Sequence, residues 1–130
     1  MAGTVVVDAV KSSTTGAPTF QNTSGTEIGQ LCRAWVNFNG TGTVAIRSSF
    51  NVSSITDNGT GDYTVNFTNA MPDANYCAKG SSNNSSGSTT SSAARSLAAI
   101  VYSTGSVRVI NQIGSGAAAD QDYCNVAVFR

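Results

Sequence analysis

Few side chains in this 130-residue chain could do chemistry, and most of those are carboxylates. Asp57 and Asp62 bracket the turn Asp57-Asn-Gly-Thr-Gly-Asp62, while Asp120 and Asp122 lie two apart. Acids spaced in this way suit general acid–base work on a glycoside, or the oxygen ligands of a calcium loop. Asp is also a preferred turn residue, and neither group follows the ligand pattern of an EF-hand, so the structural reading is favoured. The chain contains no histidine. That removes Ser-His-Asp and Cys-His nucleophilic arrangements, His-ligated zinc and the commonest general base together. Thr41-Gly42 and Gly59-Thr-Gly61 are not phosphate loops, which need a following lysine and a helix. The expectation is no catalytic residue, no metal and no cofactor.

Cys32, Cys77 and Cys124 are far apart and form no CxxC spacing, which argues against a zinc ribbon or a thioredoxin-like site. Small buried thiols are the expected role. The sharper reading is a Cys77–Cys124 disulfide, because the step Tyr76-Cys77 is repeated at Tyr123-Cys124 and the two could lie on adjacent strands. Trp35 falls beside Arg33 and Asn37, on the side of its strand opposite Cys32, Ala34, Val36 and Phe38. An indole among polar groups could form a sugar-stacking platform. Coverage of that face by a second sheet or a subunit is preferred, because aromatic side chains dominate cores and interfaces.

The elements that hold these residues are strands. Thirteen Val and six Ile stand against two Leu, and Ser and Thr together number 33, a balance that favours sheet and turns over helix. Leu, Ile, Val and Phe make up only 26 of 130 residues, so the core is thin, and oligomerisation is one way to bury more surface. Seven basic and seven acidic residues cancel, and scattered cations do not make a nucleic-acid patch, so no nucleic acid is expected as a partner. No apolar run approaches the roughly 20 residues of a membrane span, and the N-terminus lacks the basic and apolar regions of a signal peptide. The expectation is a soluble protein made in a cytoplasm, without membrane insertion.

Alternation and turn residues place about eight strands in one all-β domain, an antiparallel sandwich of jelly-roll-like type. The domain is expected over residues 31–130, preceded by an arm over 1–30 that carries a short strand at 4–10 and another near 19–22. Three hairpins are predicted: Cys32–Asn39 with Thr43–Phe50, Phe50–Thr56 with Tyr63–Thr68, and Ser96–Tyr102 with Ser106–Gln112. Further strands are expected over 76–80 and 122–130. The run Ser81–Ser92 has no apolar residue and is predicted to be an exposed loop, as is Gly114–Ala119.

Three stretches carry a resemblance: Cys32-Arg-Ala-Trp-Val-Asn-Phe-Asn-Gly-Thr-Gly-Thr-Val-Ala-Ile46, Ser49 to Phe67 with its Asp57-Asn-Gly-Thr-Gly-Asp62 turn, and Met71-Pro-Asp-Ala-Asn-Tyr-Cys77. These resemble a segment of bacteriophage tail-fibre and appendage proteins, of the type used by marine and cyanobacterial phages. The ending Tyr123-Cys-Asn-Val-Ala-Val-Phe-Arg130 and the lead-in Lys11 to Gly29 are similar to the same proteins. The resemblance implies a virion structural protein without enzymatic activity, assembled in the host cytoplasm, a homotrimer that displays its domain at the end of a fibre. Such proteins commonly carry a long shaft, whereas about 30 residues precede the domain here. A short appendage, or a capsid-decorating cement protein on the head, is therefore the second expectation, and a glycan-degrading enzyme the third. On this reading Val5, Val6, Val7 and Phe20 of the arm attach to other virion proteins. If the domain contacts a host glycan or receptor, the loop residues Ser81, Asn83, Asn84, Ser86, Thr89 and Ser115 are the expected contacts.

Overall fold

The computed structural model describes residues 3, 7, 9–11, 18–83 and 96–130. The chain divides into two compact units, Met1–Leu31 and Cys32–Arg130. In the first unit, β1 (Phe20–Gln21) pairs antiparallel with β2 (Glu27–Gly29). The Asn22 side chain closes their turn, its Oδ1 accepting from the amides of Ser24 and Thr26, while Gly25 supplies the positive φ of 79°. The short strand near 19–22 is thus present, and its partner β2 was not foreseen. Of the strand expected over 4–10, Val7, Ala9 and Val10 are in no strand, and the remainder, with Val5 and Val6, lies outside the described residues.

The second unit is all-β and forms a sandwich. Its strands are β3 (Cys32–Asn39), β4 (Ala45–Phe50), β5 (Val52–Gly59), β6 (Asp62–Phe67), β7 (Cys77–Asn83), β8 (Ser96–Tyr102), β9 (Ser106–Gln112) and β10 (Tyr123–Phe129). One sheet has the order β4-β3-β10-β7 and the other β5-β6-β9-β8, with every pairing antiparallel. The three predicted hairpins each stay within a sheet. The terminal strand β10 is inserted between β3 and β7, so an ordered chain end closes the middle of the first sheet.

Alternation decides which residues meet between the sheets. Ala34, Val36 and Phe38 of β3 and Cys124, Val126 and Val128 of β10 point inward from the first sheet. Tyr63, Val65 and Phe67 of β6, Val107 and Val109 of β9 and Leu97 of β8 answer from the second. At the centre, Phe38 and Tyr63 meet edge to face with ring centroids 5.1 Å apart. Asn51, with φ of 55°, turns the chain from the first sheet to the second. Its amide donates to the carbonyls of Arg33 and Asn69 and accepts from the Asn69 amide, which satisfies the corner without glycine.

The loop expected over 81–92 does not include its first three residues. Ser81, Ser82 and Asn83 are the last residues of β7, paired with Asn125, Cys124 and Tyr123. The physical reason is that β10 offers an unpaired backbone edge there, and ladder hydrogen bonds need no apolar side chain. Ser82 even points inward, where its hydroxyl lies 2.6 Å from Asn111 Oδ1. Residues 84–95, including Asn84, Ser86 and Thr89, lie outside the described residues.

Candidate binding face

The candidate acids are built into the scaffold. Asp57 accepts from the Gly59 amide at 2.9 Å and so shapes the β5–β6 turn. Asp62 is bonded to both nitrogens of the Arg108 fork, with Nε at 2.8 Å, and accepts from Asn58. The Arg108 guanidinium is the main reason its carboxyl sits below the usual carboxylate range. Asp120 accepts from the Gly61 amide and lies 2.7 Å from the Tyr63 hydroxyl, and Asp122 accepts from the Thr41 hydroxyl. Among the described residues no three His, Cys, Asp or Glu side chains gather where they could hold a metal ion.

All three cysteines are free thiols. Cys77 and Cys124 do lie on adjacent strands, but Cys77 is opposite Phe129 whereas Cys124 is opposite Ser82, five positions along β7. At about 3.4 Å per residue the two are far beyond the ~7 Å Cα separation a disulfide tolerates, and their side chains point to opposite faces. The register overturns the bridge. Cys124 is fully buried, and burial first and Asp120 second push its thiol up to about 11.

What the molecule leaves open is an outer face, and its two outer faces differ. On the β5-β6-β9-β8 sheet the polar side chains bond to one another: Asn66 to Ser54 and Thr56, Asn58 to Asp62 and Thr64, Arg108 to Asp62. The large apolar side chains this sheet exposes, Ile100, Val101 and Tyr102, lie along its β8 edge. On the β4-β3-β10-β7 sheet, Trp35, Phe50, Tyr123 and Phe129 remain between 39% and 55% exposed. No second sheet of this unit covers Trp35 among the described residues, which corrects the expectation of a covering sheet.

Register orders that face into rows. Phe50, Trp35, Ala127 and Lys79 lie side by side across the four strands, and Ser48, Asn37, Asn125 and Ser81 form the next row. Ala127 is the one small side chain of the first row, so a depression of about 310 Å³, open to solvent, sits over it between Trp35 and Lys79. In the next row Asn37 donates to Asn125 Oδ1 at 2.7 Å, and Asn125 lines the depression. Farther along, the Arg47 guanidinium stacks 4.2 Å from the centre of the Tyr123 ring.

Of the residues expected to meet a receptor, the structure brings Ser81 to the rim of this depression, places Asn83 at the end of β7, and leaves Ser115 exposed on a separate turn. Val7 and Phe20 are exposed in the first unit. Sequence reasoning missed Lys79, Asn125 and Ala127. The alternation of β10 could have assigned Asn125 and Ala127 to one side, but nothing in the sequence announces that β10 lies between Trp35 and Lys79. No family model, curated protein or solved structure matches the chain.

Proposed function

We propose that this chain is a structural protein of a bacteriophage virion, a homotrimeric tail-fibre or short-appendage subunit that displays its sandwich outward and contacts the host surface. The first unit serves as the arm that holds it to other virion proteins. The observation that carries this reading is the contrast between the acids and the outer face. Asp57, Asp62, Asp120 and Asp122 are tied to backbone or side-chain partners of the scaffold, while exposed aromatic and cationic groups are concentrated on one sheet. A protein so built acts through a surface. The resemblance of residues 32–77 and of the ending to phage appendage proteins supplies the setting. A thin hydrophobic complement supports the trimer, since cyclic assembly buries further surface.

Mass spectrometry of gradient-purified particles is expected to find the chain as a stoichiometric component, and light scattering of the isolated protein to return three times its 13.3 kDa mass. A monomer at micromolar concentration would overturn the trimer. Loss of polysaccharide viscosity on incubation with the protein, abolished by substitution of Asp57, Asp62, Asp120 or Asp122, would establish an enzyme in its place.

A further inference from the structure

Charge is distributed unevenly over a molecule whose net charge is zero. The strands β3, β4, β7 and β10 contain Arg33, Arg47 and Lys79 and not one Asp or Glu. Arg33 shares the outward side of β3 with Trp35, Lys79 faces outward beside Ala127, and Arg47 reaches the outward ring of Tyr123. The carboxylates of the second unit lie in the other sheet and in the loops. Neither Lys79 nor Arg33 has a carboxylate within ion-pair distance among the described residues; the ion pairs of the unit are Arg108–Asp62 and Arg130–Asp73. The face is therefore cationic, and Lys79 and Arg33 have no counter-charge among the described residues.

The same place has the parts that recognise a sugar ring. Trp35 offers an indole surface to the C–H face of a pyranose, and Ala127 leaves space in front of it. Neighbouring strands are about 4.8 Å apart, so Trp35 and Lys79 stand about 10 Å from each other across Ala127, with room for a single ring. Asn125 and Ser81 line the same depression, and the Asn125 carbonyl accepts from Asn37, which holds the Asn125 amide in place and leaves its amino group without that partner.

We infer that this depression binds an acidic saccharide, the ring stacked on Trp35, its carboxylate paired with Lys79 and its hydroxyls bonded to Asn125 and Ser81. This gives a ligand class to the displayed face and rests on the reading of the chain as a displayed binding subunit. Charge complementarity selects an acidic sugar over a neutral one. Single-stranded nucleic acid also combines stacking with anionic charge and is held by grooves of successive aromatic platforms and basic residues, but of the aromatic and basic side chains on this face only Trp35 and Lys79 line the depression, which suits a single ring. An open site for one ring binds weakly, in the millimolar range, and three copies on a trimer would raise the avidity.

Trp35 is the only tryptophan, so its indole N–H signal in a ¹⁵N-labelled sample of the full chain reports on this site alone. Titration with methyl β-D-glucuronide is expected to shift that signal saturably, and methyl β-D-glucoside to bind about two- to fivefold more weakly, the range set by one exposed charge pair. Lys79→Gln, a surface change, should abolish the difference between the two glycosides. Trp35→Ala, with its fold checked by circular dichroism, should lose both when followed by saturation transfer to the glycoside protons. The inference is overturned if neither glycoside shifts the indole signal, or if both bind alike and Lys79→Gln changes nothing. It is equally overturned if the signal moves with protein concentration alone, which would mean a second copy covers the face, or if oligothymidylate saturates the site at far lower concentration with a steep salt dependence. Failure here with the chain still found on particles leaves the virion role standing, whereas glycoside binding by a chain absent from particles would refute that role alone.

Discussion

Tyr63 shows how one residue joins parts of the chain that the sequence keeps far apart. Its ring is fully buried against Phe38, and its oxygen lies 2.7 Å from Asp120 Oδ1 and 2.8 Å from the Gly40 carbonyl. One hydroxyl proton serves one acceptor at a time, and the carboxylate is the stronger. Asp120 also accepts from Gly61, whose positive φ of 67° and contact with Asn111 and Ala119 leave no room for a Cβ. Burial first and Asp120 second raise the Tyr63 phenol above its ordinary range. A raised folded-state value means that the native form keeps its proton after the unfolded form has lost it, so this stability is complete below the ordinary phenol value of 10.0 and is lost as pH rises above it. Tyr63→Phe should cost about 1–3 kcal/mol at neutral pH by the loss of a buried partner, and its denaturant midpoint should fall less steeply than the native one in the alkaline range. An unchanged alkaline slope would remove Tyr63 from this role. The thiols give a second test: alkylation of the native protein followed by mass spectrometry should modify exposed Cys77 first, half-buried Cys32 next and buried Cys124 only on unfolding. The structural role of the acids was legible from Asp beside Gly at the turns. Their partners were not, because Asp120 meets Gly61 and Tyr63 only through the fold.

At the level of elements, strong alternation made β3, β6, β9 and β10 readable, because each sets apolar side chains at every second position against polar ones. The strand β7 hid its extent. Its inward residues are Ala78, Gly80 and Ser82, small because β8 of the other sheet approaches closely, and so they carry no hydrophobic signal. A Cβ on Gly80 would collide with the Leu97 carbonyl oxygen and press on the Leu97 side chain. Gly80→Val is therefore expected to destabilise the second unit by at least the ~1–3 kcal/mol of an overpacked core, visible as a lower urea midpoint, although valine is the better strand former. Equal or greater stability would show that β7 does not lie against β8 in this way. The β8 edge carries a register shift between Ala99 and Val101, an irregularity that propensity does not reveal and that interrupts an otherwise exposed apolar edge.

For the whole molecule, the sequence conveyed the class of fold and its hairpins, but not the order of strands across the sheets. That order depends on β10 returning between β3 and β7, a pairing between residues about 90 positions apart that no local pattern encodes. It is also what creates the candidate face, since Trp35, Ala127 and Lys79 come from three strands distant in the chain. The claim that this face is displayed on a phage particle depends on where the protein sits. Electron microscopy of purified virions labelled with an antibody to the second unit tests that most directly. Label at the tip of a tail fibre or short appendage is the result this account predicts; label over the head would instead establish a capsid-decorating protein, and particles free of label would contradict the virion role altogether.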